Sequence, residues 1–355
     1  MMCIMHIILR RKTMKRQCAV LTAPKRIEII EEEIPALKPD QVLYRMVSGG
    51  LCHSEVPTYT GDASTVYGKY NYKSYVKGVE FPRGLGHEPV CVIEEVGSAV
   101  KDFKPGDMVT GYLHYAFASH VVDSTVGMAK IPDVPGIKRE YCLGEPMACV
   151  TNIVRSTQAQ YGDTVAVIGC GMMGLLAISG LANAPLENLI AIDMRDDRLE
   201  NAKKYGATVT LNPSKENVEE RVMELTNGRG VDTVIEISGS FAAIGTALKI
   251  IRPSNRYSAK GRGKILLTSV YARETMWTTE MGYDLMIRTP ELHSVHPDYS
   301  TDFGEDVRRA VMGYVNRTMP IDTMISHEFK FENIAEAFAT LYEGKPDYQK
   351  GIVLF

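Results

Sequence analysis

The stretch Thr164-Val165-Ala166-Val167-Ile168-Gly169-Cys170-Gly171-Met172-Met173-Gly174 decides the fold. Its first five residues form a compact β-branched run of strand length, and an apolar, helix-length segment, Leu175–Ala182, follows the glycines. A strand that passes through Gly-x-Gly-x-x-Gly into a helix is a dinucleotide-binding turn: Gly169 makes the tight turn, Gly171 lets backbone approach a pyrophosphate, and Gly174 lets helix pack on strand. Met172 and Met173 complete the motif where the helix opens, and its N–H groups and dipole favour an anion there. Asp193 ends the next strand-like run, 24 positions after Gly169. A carboxylate there accepts hydrogen bonds from the adenosine ribose and repels a 2′-phosphate, which favours NAD over NADP. Nearby, Arg198 either pairs with a ribose hydroxyl or caps a solvated helix start, and Arg195 is placed to reach a phosphate.

Outward from this motif, compact strands recur at Leu189–Ile192, Val231–Ile237 and Lys264–Val270. Helical segments lie between them at Asp197–Tyr205 and after Asn212-Pro213, where Asn suits a cap and Pro a first turn. The alternation predicts an α/β, doubly wound parallel sheet covered by helices over residues 156–292. Upstream, from Gln17 to about Gly136, short β-rich runs such as Val90–Val96, Met108–Thr110 and His120–Val122 stand between Gly, Pro and Asp. After Leu292 the character switches again and ends in the strand-like Gly351–Phe355. A β-rich domain over 14–155, the α/β domain inserted into it, and a return over 293–355 follow, with residues 1–13 a disordered leader.

Composition narrows the function. The 355 residues are 45% hydrophobic and 23% charged, and a net charge of −3 provides no basic field for nucleic acid or anionic lipid. No window reaches the ~18 apolar residues needed to span a bilayer. In Met1–Leu9 the apolar run precedes the basic Arg10-Arg11-Lys12, the reverse of a secretory signal. Seven irregularly spaced cysteines suit a reduced, cytoplasmic compartment.

Two short motifs carry metal chemistry: Gly50-Leu51-Cys52-His53-Ser54-Glu55 and Gly86-His87-Glu88, with Gly144-Glu145-Pro146 further on. Cys, His and carboxylate are zinc ligands, and a catalytic zinc needs three of them with one position open; Cys52, His87 and Glu88 supply three.

With these residues the chain resembles the zinc-dependent medium-chain alcohol/polyol dehydrogenase family from Gln17 to Phe355. The likeness extends through Val96-Gly97-Ser98-Ala99-Val100, Pro105-Gly106-Asp107, Ala202-Lys203-Lys204-Tyr205-Gly206-Ala207 and Ile334-Ala335-Glu336-Ala337-Phe338. The resemblance implies a GroES-like catalytic domain split around an inserted Rossmann domain, with the active site in the cleft between them. It also implies a homodimer or homotetramer. It makes Cys52 and His87 ligands of one catalytic Zn2+ per chain and Glu88 a ligand or close partner. Glu145 either binds the zinc or hydrogen-bonds its water, and Glu145-Pro146 matches the sorbitol-like and sugar dehydrogenase branch. Ser54 takes the substrate proton. The implied reaction is NAD-linked oxidation of a secondary hydroxyl on a polyol, sugar or cyclitol-like substrate, or the reverse. Its rivals are a reductase of primary alcohols and aldehydes and a catalytically silent NAD-binding protein.

Four features depart from the family pattern. Pro57 stands where a histidine usually finishes the proton relay, which leaves His53 as the nearest alternative. Cys91 replaces a glycine and reads as a packing change in a strand. No cysteine lies between Cys91 and Cys142, where many members hold a structural zinc. A segment bearing Tyr59, Tyr67, Tyr70, Tyr72 and Tyr75 either lines the cleft or forms a surface flap.

Overall fold

The computed structural model describes residues 14–61, 80–254, 262–269, 277–295 and 300–355. The leader and Tyr67, Tyr70, Tyr72 and Tyr75 lie outside the described residues. Two compact units emerge, one of residues up to Pro146 with Val307–Val315 and Ile321–Phe355, the other of Met147–Asp306 and Asn316–Pro320. The divisions fall inside the helices Gly144–Thr157 and Phe303–Val315. A continuous helix presents no break in composition, so positions 155/156 and 292/293, read from changes of character, are not where the contacts divide.

The first unit is β-rich. A seven-stranded sheet has the order His327–Lys330, Gly351–Leu354, Gln41–Gly50, Glu88–Val96, Met108–Gly111, Met128–Lys130, with His120–Ser124 pairing Gln41–Arg45. A smaller three-stranded sheet joins Arg26–Glu33, Lys15–Ala23 and Arg83–Gly84. Gln41–Gly50 is the central strand: Val42, Leu43, Tyr44 and Met46 are buried, and it pairs antiparallel with Glu88–Val96 so that Gly50 stands opposite Glu88. Cys91 is fully buried and pairs with Met46 and Val109, a packing residue as its strand position implied. Tyr59 belongs to the core as well, tilted against Phe338 at 5.5 Å.

The second unit is a six-stranded, wholly parallel sheet in the order Val209–Leu211, Asn188–Ile192, Thr164–Ile168, Thr233–Glu236, Lys264–Leu267, Glu291–Ser294. The order reverses between Thr164–Ile168 and Thr233–Glu236, and such a switch point opens a ligand crevice at the carboxyl ends of the strands. All five residues of Thr164–Ile168 are buried, as a strand covered by helices on both faces requires. The following helix begins at Met172, inside the glycine motif and three residues before the apolar run suggested. The helix expected after Asn212-Pro213 starts later. Asn217 caps Val218–Leu225 by accepting from Glu219 and Glu220 N–H, while Asn212 turns the preceding loop by accepting from Ser214 N–H. Asn with Pro at the next position satisfies a turn as readily as a cap.

None of the six described cysteines forms a disulfide. Among the described residues, no helix is long and apolar enough to cross a membrane.

Candidate active site

Local backbone chemistry brings the two metal-type motifs together in the first unit. Strand Gln41–Gly50 ends beside Glu88, and Cys52 then caps the one-turn helix His53–Glu55. Gly86 turns the chain at φ +94°, and its N–H donates to Glu55 Oε1 at 2.6 Å, tying one motif to the other. The sulfur of Cys52, a ring nitrogen of His87 and a carboxylate oxygen of Glu88 all lie within 4.8 Å of one another. Glu145, 8% exposed in the first turn of Gly144–Thr157, is not part of this three-atom cluster. Ser54 Oγ donates to Cys52 Sγ at 3.2 Å and lies 3.5 Å from His87 Nε2. His53 is exposed, its ring edge-on to Tyr348 at 5.9 Å. Pro57 sits in the first turn of Val56–Thr60, where its missing N–H costs nothing.

The cluster suits a cation. Burial works against a charged His87, yet hydrogen bonds and charge from Cys52 and Glu55 push its pKa well above the ordinary imidazole range. An environment that holds a proton so firmly favours a metal ion in its place, since both answer the same negative charge. Glu88 Oε1 is buried and makes no hydrogen bond with the protein, as an oxygen reserved for a ligand would be.

Two partners of the cluster had no visible signal in the sequence. Glu55 Oε1 lies 3.8 Å from His87 Nδ1, on the opposite ring nitrogen from Ser54, the place from which a carboxylate orients a ligating imidazole. Lys350, 3% exposed, sits 2.5 Å from Glu88 Oε2 and donates to Leu51 O at 3.0 Å. Burial opposes its charge, and Glu88, followed by Cys52, restores it by raising the lysine pKa. The periodicity of Gly351–Phe355 marks a strand but not what the residue before it touches.

In the second unit the glycines divide by surroundings. A Cβ on Gly174 would overlap Gly169 O, and one on Gly169, at φ +103°, would meet Ser238 Cα at 2.7 Å, whereas one on Gly171 would enter open space. Packing therefore demands the first and third glycines, and the second leaves backbone open to a ligand. Gly171 is also the N-cap of Met172–Leu181, with no side-chain cap across the first-turn amides. Asp193 joins the loop to the next strand: Oδ2 accepts from Cys170 N–H at 2.8 Å and Oδ1 from Arg195 N–H at 2.9 Å. Arg198 Nη1 lies 3.7 Å from Asp193 Oδ2.

Comparison with known proteins agrees with the fold. Residues 38–156 match the alcohol dehydrogenase GroES-like domain and residues 173–277 the zinc-binding dehydrogenase domain. An L-threonine 3-dehydrogenase from Caldanaerobacter subterraneus is 30% identical over 263 residues, 66% of this chain and 72% of that one. An erythritol/L-threitol dehydrogenase from Mycolicibacterium smegmatis is 29% identical over 283 residues, 70% and 76% of the two chains. The crystal structure of galactitol-1-phosphate dehydrogenase from Escherichia coli superposes with a TM-score of 0.77 at 22% identity, covering 96% of this chain and all of that one (100%), and so shares the fold. The chain belongs to the zinc-dependent medium-chain alcohol/polyol dehydrogenase family. It is an oxidoreductase that uses zinc and a nicotinamide cofactor.

Proposed function

We propose that this dehydrogenase interconverts a secondary hydroxyl of a polyol or sugar-like substrate and the corresponding ketone, with NAD as its cofactor. The observation that carries the reading is the convergence of Cys52, His87 and Glu88 within 4.8 Å, with the Ser54 hydroxyl beside them. When bound, the metal supplies Lewis-acid polarisation of a substrate oxygen and the nicotinamide exchanges the hydride. Cys52 Sγ, His87 and a Glu88 oxygen hold the metal. Ser54 Oγ takes the proton of the reacting hydroxyl, Glu55 fixes the His87 ring, and Lys350 anchors the Glu88 carboxylate. Glu145, outside the cluster, suits a hydrogen-bonding rather than a ligating role. The Met172, Met173 and Gly174 amides face the pyrophosphate and Asp193 takes the ribose hydroxyls.

The polyol assignment is supported by Glu145-Pro146 and by similarity to the erythritol/L-threitol dehydrogenase, whose named substrates are polyols. A panel of polyols, sugars, cyclitols and ethanol-like alcohols, followed by NADH absorbance, tests it. A higher kcat/KM on a polyol than on any primary alcohol is the expected result; faster turnover of ethanol-like substrates contradicts it.

A further inference from the structure

The helix that follows Asp193 opens with an unusual density of charge, Arg195-Asp196-Asp197-Arg198, and each cation there is matched to its own carboxylate. Arg195 is held by Asp197 through one edge of its guanidinium, Nε donating to Oδ1 at 3.0 Å and Nη2 to Oδ2 at 2.5 Å. Arg198 faces Asp193 at 3.7 Å. Lys215, across the loop, pairs with Asp196 at 2.5 Å, and Asp196 also accepts from Asn212 Nδ2 at 2.8 Å. Arg195 is the arginine whose backbone N–H already binds the ribose-acceptor carboxylate, Asp193 Oδ1. An arginine in that neighbourhood is what accommodates a 2′-phosphate. Here the Nε–Nη2 edge of its guanidinium, which matches a phosphate as well as a carboxylate, is already engaged by Asp197.

We infer that Asp197 is a cofactor-discriminating residue: by occupying the Arg195 guanidinium it withholds that cation from a 2′-phosphate, so selection of NAD rests on two carboxylates, Asp193 and Asp197. The inference rests on the reading of this unit as an NAD site. Asp193 repels the phosphate directly and stays tied to backbone amides on both oxygens. Asp197 acts through Arg195 and is the more readily displaced of the two, its side chain 59% exposed against 8% for Asp193. Because it stands in the first turn of Asp196–Lys204, Asn at this position keeps an oxygen for the helix amides while giving up the charge that holds the arginine.

The test is binding of NADH and NADPH to the full chain at fixed ionic strength, read from nicotinamide fluorescence, with the ratio of the two Kd values as the quantity compared. In the wild type NADH binds more tightly. Asp197→Asn lowers the NADPH-to-NADH Kd ratio about three- to five-fold, the upper range for an exposed ion pair. Asp197→Glu keeps the wild-type ratio, and Arg195→Ala added to Asp197→Asn restores it. A ratio unmoved by Asp197→Asn overturns the inference. So does a double variant that shifts as far as the single one, since the carboxylate would then act by repulsion alone. A wild-type chain that binds neither dinucleotide fails at the earlier step, the assignment of the site itself.

Discussion

Lys350 Nζ lies 2.5 Å from Glu88 Oε2, and the two residues are 3% and 1% exposed. Gly50 makes room for the pair, since a Cβ there would overlap Glu88 Oε2. Removing one member of a buried ion pair leaves an uncompensated charge and costs roughly 3–5 kcal/mol, whereas removing both is often nearly neutral. Lys350→Met is therefore expected to destabilise the protein severely, and Lys350→Met with Glu88→Gln to recover most of the loss, measured as denaturant midpoints of the metal-free chain. Equal destabilisation by the single and double variants would show that the lysine acts by packing alone.

Ser54→Ala removes the proposed proton acceptor and leaves the Cys52, His87 and Glu88 side chains in place. Turnover is expected to fall by about 10²–10⁴-fold, the usual worth of a positioned acid–base group. Zinc content and NADH affinity should hold. Comparing pH–rate profiles of wild type, Ser54→Ala and His53→Ala in the oxidation direction checks this, and wild-type turnover in Ser54→Ala would remove the serine from the mechanism.

Glu55→Gln keeps the size of the side chain and loses the charge facing His87 Nδ1. Loss of a partner that orients a metal-bound imidazole costs about 10–100-fold in metal affinity or activity. The expected outcome is weaker zinc retention in a competition titration with a chelator, with NADH binding unaffected.

Asp107 tests the meaning of Pro105-Gly106-Asp107 in physical terms. Its Oδ2 accepts from Lys104 N–H at 3.0 Å and pairs with Lys130 at 2.9 Å, and Gly106 turns the chain at φ +91°. Burial opposes the ionised form of Asp107, but these bonds, led by Lys130, outweigh it and hold the pKa below the ordinary carboxylate value of 3.8. A depressed folded-state pKa contributes stability that is fully present above the unfolded value and is lost as pH falls through the folded one. Asp107→Asn should therefore unfold at lower urea than wild type near neutral pH, and the gap should close below about pH 4. A gap that persists unchanged in acid would mean that the aspartate acts by shape alone.

Much of this was legible because short-range rules govern it. The parallel sheet follows from buried β-branched runs, and Gly169 and Gly174 are required by close packing that only glycine satisfies, while Gly171 leaves open space at the turn. Cys52, His87 and Glu88 announced themselves by donor chemistry. Partners set by tertiary contact were not legible. Lys350 reaches Glu88 across 262 positions because Gly351–Leu354 pairs with Gln41–Gly50, a register no local pattern encodes. Glu55 reads as one more charge after Ser54 until the turn at Gly86 brings His87 to it. Asp197 likewise reads as an acidic first-turn residue, and only its grip on Arg195 gives it a role.

The most direct test is zinc stoichiometry of the purified chain and of Cys52→Ser, measured by elemental analysis beside NADH binding and turnover. One zinc per chain in the wild type, lost together with turnover in Cys52→Ser while NADH binding survives, is the expected result. A Cys52→Ser protein that keeps both its zinc and its turnover would contradict the account, because the metal would then be held somewhere other than Cys52, His87 and Glu88.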